Sequence, residues 1–267
     1  MILIDFTQIA IGSLMVAINR GGQEVDDTLV RHLVLNNLRY YRSRFTEKYG
    51  ELVICCDSKH YWRRDYFPNY KANRKKDRAS SGYDWDFIFT TLNGVRDEIK
   101  EHFPYKVLEI YGAEADDIIA TLVKSQKVNT VIVSSDKDLM QLVRDNVCMM
   151  DPMKGSFVCA PEVMDKFGVT PDKVVDVQAL CGDSIDNVPG VPGIGIKTAA
   201  LLINEYGDLE TLLERAEEIP QNKRRETLIE NAEMARISKK LVTLDDKVDV
   251  PVSIEGLKLE DPFTDKL

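Results

Sequence analysis

Residues 105–136, YKVLEIYGAEADDIIATLVKSQKVNTVIVSSD, decide the fold. YKVLEI (105–110) and TVIVSSD (130–136) are short apolar runs of the kind that fill buried strands, and 114–126 between them has helical periodicity. Strand, helix and strand in that order make a parallel βαβ unit. Working outward, MILIDF (1–6) and ELVICCD (51–57) repeat the strand pattern, each closing on an acid. Helical periodicity occupies 25–48, 84–102 and 137–144. The expected class is α/β, a mostly parallel central sheet flanked by helices. Its chemistry should lie at the carboxyl ends of the strands.

From about residue 160 the pattern changes. APEVMDKFG and TPDKVVDVQALCG read as helices with Pro near their starts. Further helical segments run to about 244, and no strand pattern appears among them. The expected organisation is an α/β domain at 1–160 with a basic segment at about 59–82, a smaller helical domain at 161–247, and a loosely ordered tail at 248–267. No solenoid repeat or low-complexity tract is present.

Composition narrows the class. Of 267 residues, 44% are apolar and 30% charged, which excludes a disordered or fibrous chain. No apolar run approaches the ~18 residues of a membrane span. The first residues lack a basic n-region and carry Asp5 within the apolar stretch, so no signal peptide is expected. Five cysteines (Cys55, Cys56, Cys148, Cys159, Cys181), an odd number without a C-x-x-C pair, argue against a disulfide framework or zinc ribbon and for a reducing compartment.

The net charge of −9 looks unlike a nucleic-acid binder, but its distribution says otherwise. Residues 59–78, KHYWRRDYFPNYKANRKKDR, hold eight Lys/Arg against two Asp, a local net of +6. Tyr61, Trp62, Tyr66 and Tyr70 are interleaved with the bases. Such a run can be a plain solvated face, yet cations mixed with stackable rings are what a nucleic-acid strand binds.

The acids fall where the sheet topology would gather them. Asp5 and Asp57 end strands, and Glu114, Asp116 and Asp117 open a helix. Asp136 and Asp138 follow TVIVSS, and Asp183 and Asp186 lie in GDSIDN. Taken singly, each reads as a helix cap, a dipole partner or a turn residue. Taken together on one sheet edge, they would raise one another's pKa values unless cations joined them. A donor set of oxygens without His or Cys suits Mg²⁺ or Mn²⁺. Without these nine acids the chain would be neutral. Two such ions roughly 4 Å apart are a recurring device for displacement at phosphorus.

GVPGIGIKTA (190–199) is the second motif. Gly190, Gly193 and Gly195 permit tight turns, and a helix opening near Ile196 would present free N–H groups beside Lys197 and Thr198. That arrangement holds phosphate without reading bases. It lacks the G-K-[ST] order of a nucleotide P-loop, which disfavours ATP binding. A loop between packed helices is the alternative.

YGAEADD, SSDKDLMQLV and GDSIDNVPGVPGIGIKTA in combination resemble the 5′ nuclease family: flap endonucleases, the 5′-nuclease domain of bacterial DNA polymerase I, and phage RNase H-type 5′-3′ exonucleases. The likeness runs from ILIDF to about residue 244. YWRRDYFPNYKANR and the following DWD are nearest the phage type, whereas GDSIDNVPGVPG is nearer the polymerase type. The length suggests a stand-alone, phage-encoded enzyme acting in the cytoplasm.

The resemblance implies a fold and a set of roles. The fold is a PIN-like nuclease sheet with a helix–hairpin–helix module at 183–205 that grips duplex DNA and can hold K⁺ on backbone carbonyls. All nine acids match metal ligands, with Asp116 and Asp136 central to catalysis. Lys71 and Arg74 match the basic pair of a helical arch that contacts the scissile phosphate. Tyr70 sits where a ring could stack on a terminal base. Arg63, Arg64 and Lys75 are further DNA contacts expected on the arch.

The implied activity is a structure-specific 5′-3′ exonuclease and flap endonuclease with RNase H-type primer removal. It would use two Mg²⁺ or Mn²⁺ ions on branched or 5′-ended duplex DNA and on RNA–DNA hybrids. A monomer is expected, with replisome proteins as candidate partners and no membrane association. Two rivals are a PIN-type ribonuclease, which would lack the glycine hairpin, and a non-catalytic DNA-structure binder, which would not need the full set of acids.

Overall fold

The computed structural model describes residues 1–21, 25–125, 127–251 and 255–257. Six strands form one sheet in the order β3-β2-β1-β4-β5-β6. They are β1 (Ile2–Asp5), β2 (Leu52–Cys56), β3 (Lys106–Glu109), β4 (Thr130–Val133), β5 (Val147–Asp151) and β6 (Ser156–Val158). The first five are parallel and β6 pairs antiparallel with β5. β1, β2 and β4 are buried along their whole length, as expected of strands covered on both faces.

Alternation along β1 sets the two faces. Ile2 and Ile4 join one apolar cluster with α1 (Phe6–Gly21), α2 (Asp27–Tyr49) and α5 (Trp85–His102). Leu3 joins the other, with α6 (Ala115–Ser125). The basic segment becomes two short helices, α3 (Trp62–Tyr66) and α4 (Asn73–Ser80). The sequence periodicity misses α1, which begins directly after β1 with no turn between them. It also misses β5 and β6. The expected helix at 137–144 is a 3-10 turn, Lys137–Leu142, and residue 126 of the expected 114–126 helix lies outside the described residues.

Beyond β6 the described elements are all helical: α7 (Ala160–Phe167), α8 (Val174–Cys181), α9 (Ile196–Tyr206), α10 (Leu209–Glu214), α11 (Asn222–Glu230) and α12 (Ala232–Val242), with short 3-10 turns. Their apolar residues continue the cluster on the Leu3 face: Ile132 of β4, Val177 of α8, Ile203 of α9 and Leu228 of α11 belong to one core. The helical half is therefore packed onto the sheet through shared core rather than hung from it. Of the expected tail, residues 252–254 and 258–267 lie outside the described residues. No helix among the described residues is long and apolar enough to cross a membrane.

One expectation is overturned. Cys148 and Cys159 form a disulfide, with their Cα atoms 4.8 Å apart. The β5–β6 register explains it: Met149 faces Val158, so the next pair outward brings Cys148 opposite Cys159. Cys55, Cys56 and Cys181 are free.

Candidate active site

The parallel order puts the carboxyl ends of β2, β1 and β4 side by side, and each delivers an acid that also closes a local turn. Asp5, after β1, accepts from the Gln8 N–H at 3.3 Å and the Ser134 hydroxyl at 2.8 Å. Asp57, after β2, accepts from the Ala115 N–H at 2.9 Å and so caps α6. Asp136, after β4, accepts from the Asp138 N–H at 2.9 Å. Capping and clustering are not rival roles here, because the same carboxylates do both.

Their electrostatics show the cost of crowding. Burial, then the charges of Asp57 and Asp136, pushes Asp5 up to about 7. Burial, then Asp136 and Asp5, holds Asp116 well above the ordinary carboxylate range. Asp136 is raised by burial, against the lowering effect of the Asp138 N–H, with the Asp186 charge adding to the rise. Beside this group, Asp138, Asp183 and Asp186 are buried and offer oxygens all within 4.8 Å of one another. Burial, then Asp136 and Asp186, pushes Asp138 up to about 8.

Cations reach into the acids from the arch. Lys71 Nζ lies 2.6 Å from Glu114 Oε1 and 3.5 Å from Asp186 Oδ2. Arg74 pairs with Asp186, and Lys137 Nζ lies 3.0 Å from Asp183. The backbone holds this junction: the Lys71 N–H donates to Asp186 O at 2.9 Å, and Asn73 and Asn187 side-chain amides donate to Ser184 O and Asn69 O. Lys71 itself takes a left-handed φ of 55°.

Four assignments from the sequence are corrected. Asp117 does not join the acid group; it is fully buried and both its oxygens engage Arg63, at 2.8 Å each. Asp117 and Asp116 are adjacent on one helix, and neighbours on a helix point in different directions. Arg63 is not a surface contact for DNA. Its guanidinium bonds Glu114, Asp117, Leu241 O and Thr243 O, which accounts for all five N–H donors. It thereby ties α3 to α6 and to the end of α12.

Tyr70 is likewise 4% exposed, packed with Val188, Leu241 and Val242, so it cannot stack on a base as placed. Gly190 is buried and its N–H donates to Ser238 Oγ, which removes it from the phosphate-binding set. Glu114 is placed between Arg63 and Lys71. Arg64 and Lys75 are exposed on the arch. Gly193, Gly195 and Lys197 are exposed, with Thr198 half-buried, at the start of α9.

The sequence gives no sign of Gln178. It is 1% exposed on α8 and donates to Asp138 Oδ1 at 2.5 Å, fixing that carboxylate toward Asp183 and Asp186. Its Oε1 has no partner. An amide on a helix two turns from the glycine loop has no local pattern to mark it.

The glycine loop separates into structural and surface parts. Gly190 has φ 63°, and a Cβ there would lie 2.5 Å from the Gly182 nitrogen. That close approach closes the loop carrying Asp183 and Asp186. Gly193 has φ 75° with open space around a Cβ, whereas Gly195 has an ordinary φ of −87° as the N-cap of α9. In urea denaturation Gly190→Ala should therefore lose roughly 2 kcal/mol or more, Gly193→Ala about 1–2 kcal/mol, and Gly195→Ala little. Equal losses at all three positions would contradict this division.

A pH effect follows from the raised acids. Between the ordinary range and about 7 or 8, Asp5 and Asp138 hold protons in the folded state that the unfolded chain has released. Stability must then fall as pH rises through that window. In EDTA, the melting temperature should drop between pH about 5 and about 8; with excess Mg²⁺ the drop should shrink or reverse. Identical slopes in the two buffers would rule out divalent-ion binding by these acids.

Two family profiles cover the chain: the 5′-3′ exonuclease N-terminal resolvase-like domain at 22–168 and the 5′-3′ exonuclease C-terminal SAM fold at 169–265. DNA polymerase I of Rhizobium leguminosarum is 48% identical over 74% of the chain, which spans about a fifth (19%) of that protein. A 5′-3′ exonuclease of Aquifex aeolicus is 43% identical over 60% of the chain and 55% of its own length. Among solved structures, T5 5′-exonuclease with bound zinc superposes with a TM-score of 0.78 at 21% identity, over 92% of this chain and 89% of that one. The catalytic core of Rad2 in complex with a DNA substrate gives 0.55 at 15% identity, over 93% and 80%. These likenesses place the sheet and the helical half in one known fold.

Proposed function

Because the chain belongs to the 5′-3′ exonuclease family, we propose that it is a divalent-metal-dependent, structure-specific 5′ nuclease that hydrolyses phosphodiester bonds near the 5′ ends of branched or duplex DNA. The observation that carries the reading is the coupling of Asp5, Asp116 and Asp136 to a compact Asp138–Asp183–Asp186 group, with Lys71 and Arg74 reaching in from the arch.

The donor set fits hard divalent cations. It is all oxygen, buried at Asp5, Asp138, Asp183 and Asp186 and half-buried at Asp57, Asp116 and Asp136, and burial and neighbouring charges raise the Asp5 and Asp138 carboxyls. Asp5, Asp57, Asp116 and Asp136 would hold one ion, and Asp138, Asp183 and Asp186 a second, with Mg²⁺ or Mn²⁺ the expected species. When bound, such ions lower the pKa of water and stabilise charge on phosphoryl oxygens. The chain's own residues do the rest. Lys71 and Arg74 exchange their carboxylate partners for the scissile phosphate and bear on the oxygens where charge grows. Gly193, Gly195, Lys197 and Thr198 at the start of α9 meet duplex phosphates without reading sequence, and K⁺ on the hairpin carbonyls would assist them. Exposed Arg64 and Lys75 add phosphate contacts.

T5 flap endonuclease in complex with DNA and metal ions shares the fold, which supports this reading. Action on RNA–DNA hybrids, contact with replisome proteins, a monomeric state and a cytoplasmic place belong to the same proposal. The glycine loop disfavours a PIN-type ribonuclease, and the seven aspartates that remain after Asp117 and Glu114 are engaged by Arg63 and Lys71 disfavour a non-catalytic binder. The test is cleavage mapping on 5′-labelled flaps, nicks, overhangs and RNA–DNA hybrids in Mg²⁺. Products released from 5′ ends at junctions are expected; no cleavage of any substrate overturns the proposal.

A further inference from the structure

Tyr111 stands 83% exposed at the carboxyl end of β3, on the loop that leads to Glu114 and Asp116. Single exposed apolar residues are common and need no explanation. This one differs in its mounting. Gly112 turns the chain with φ 85°, and its N–H donates to His60 O at 3.2 Å, while its carbonyl accepts from the Trp62 N–H at 3.0 Å. The Ser58 N–H donates to Ala113 O at 3.1 Å, closing a short clasp between the root of the arch and the β3–α6 loop. The ring is thus held out on fixed backbone. The His60 ring lies 5.9 Å from it, tilted by 48°, and His60 and Lys59 are themselves exposed.

An amphipathic ring presented to water from a pinned backbone, beside a second ring, at the sheet edge where the acids lie, has the makings of a nucleobase platform. Every base offers a π-face, so stacking binds strand without reading sequence. The pinned backbone means that little main-chain freedom is lost on contact. We propose that Tyr111, flanked by His60, stacks on one nucleobase of the bound strand next to the reacting phosphate. This rests on the nuclease reading and adds to it a base-binding subsite.

The test walks 2-aminopurine through the positions on either side of the cleavage junction of a 5′-flap DNA, bound by the full chain in Ca²⁺. Stacking quenches this base, so one position should darken on binding. Tyr111→Ala should abolish that quench and weaken binding by about 5- to 150-fold, the measured range for one stacked base. Tyr111→Phe should keep both quench and affinity, because the ring alone is required. His60→Ala should reduce the quench partly. Tyr40→Ala, which removes another exposed ring on α2, should change neither. If Tyr111→Ala binds, quenches and cleaves as the unaltered chain does, the platform is refuted while the nuclease reading stands. If the unaltered chain neither binds nor cleaves the flap, the nuclease reading itself has failed, and the platform falls with it.

Discussion

Asp116→Ala should lower the single-turnover cleavage rate by roughly 10³-fold or more, the scale expected when several kcal/mol of metal-assisted charge stabilisation is removed. Asp116 opens α6 between the strand-end acids, and its carboxyl is held well above the usual range by burial and by Asp136 and Asp5. No Lys or Arg is salt-bridged to it as Arg63 is to Asp117 among the described ion pairs, and the nearby Lys71 charge offsets only part of the rise. Asp136→Ala should behave alike. Substrate affinity in Ca²⁺ should change little, because the phosphate contacts of the arch and α9 remain. In EDTA the variants should be as stable as the unaltered chain or more so, since a repelling, desolvated carboxyl is gone. Asp183→Ala should do less at saturating Mg²⁺ and shift the Mg²⁺ requirement upward, because its partner is Lys137 and its group adjoins the first. Substantial turnover by Asp116→Ala at saturating Mg²⁺ would remove it from the metal set.

Much of this was legible in the sequence, for definite reasons. Strands β1, β2 and β4 are buried along their whole length, so they appear as uninterrupted apolar runs, and each closes on or is soon followed by a carboxylate, Asp5, Asp57 or Asp136. The Asp138, Asp183 and Asp186 group could be anticipated but not assembled, since nothing local states that a loop forty residues on folds back beside the 3-10 turn. Gly182 against Gly190 is the contact that brings it there.

What misled was burial. A run of eight cations reads as a solvated surface, and Arg and Lys are rarely buried unless paired. Arg63 is the paired exception, 2% exposed, because Asp117 and Glu114 wait for it across the sheet edge. Removing one partner of such a buried pair typically costs about 3–5 kcal/mol. Tyr70 follows the same logic: its ring, two residues after Pro68, roofs an apolar patch under the arch rather than facing a substrate. β5 escaped notice because VCMMD follows a 3-10 turn instead of a regular helix, and with it went the hairpin register that joins Cys148 to Cys159.

The arch gives the second large effect, and the structure sharpens it. Among the basic residues at 59–78, Lys71 and Arg74 are the ones paired with Asp186, whereas Arg63 is spent on Glu114 and Asp117: Lys71 is 11% exposed with Nζ on Glu114 and Asp186, and Arg74 engages Asp186. Lys75 and Lys76 are exposed on the outer side of α4. A phosphate arriving at the acids would offer Lys71 non-bridging oxygens in place of its carboxylates, and those oxygens gain charge as the nucleophile attacks. The lysine should then count for more in the transition state than in the ground state. Lys71→Ala is expected to cut the single-turnover rate by roughly 10²–10³-fold, as for loss of one electrostatic donor, with flap affinity in Ca²⁺ weakened far less. Lys71→Ala also relieves a left-handed φ only if the backbone rearranges, so Lys71→Asn, which tolerates that conformation, is the better paired variant. Lys76→Ala should alter the salt dependence of binding and leave the chemical step alone. Quench-flow rates under excess enzyme, set beside anisotropy titrations, separate the two outcomes. Equal and small effects at Lys71 and Lys76 would reduce the arch to a binding surface and leave catalysis to the acids and their cations.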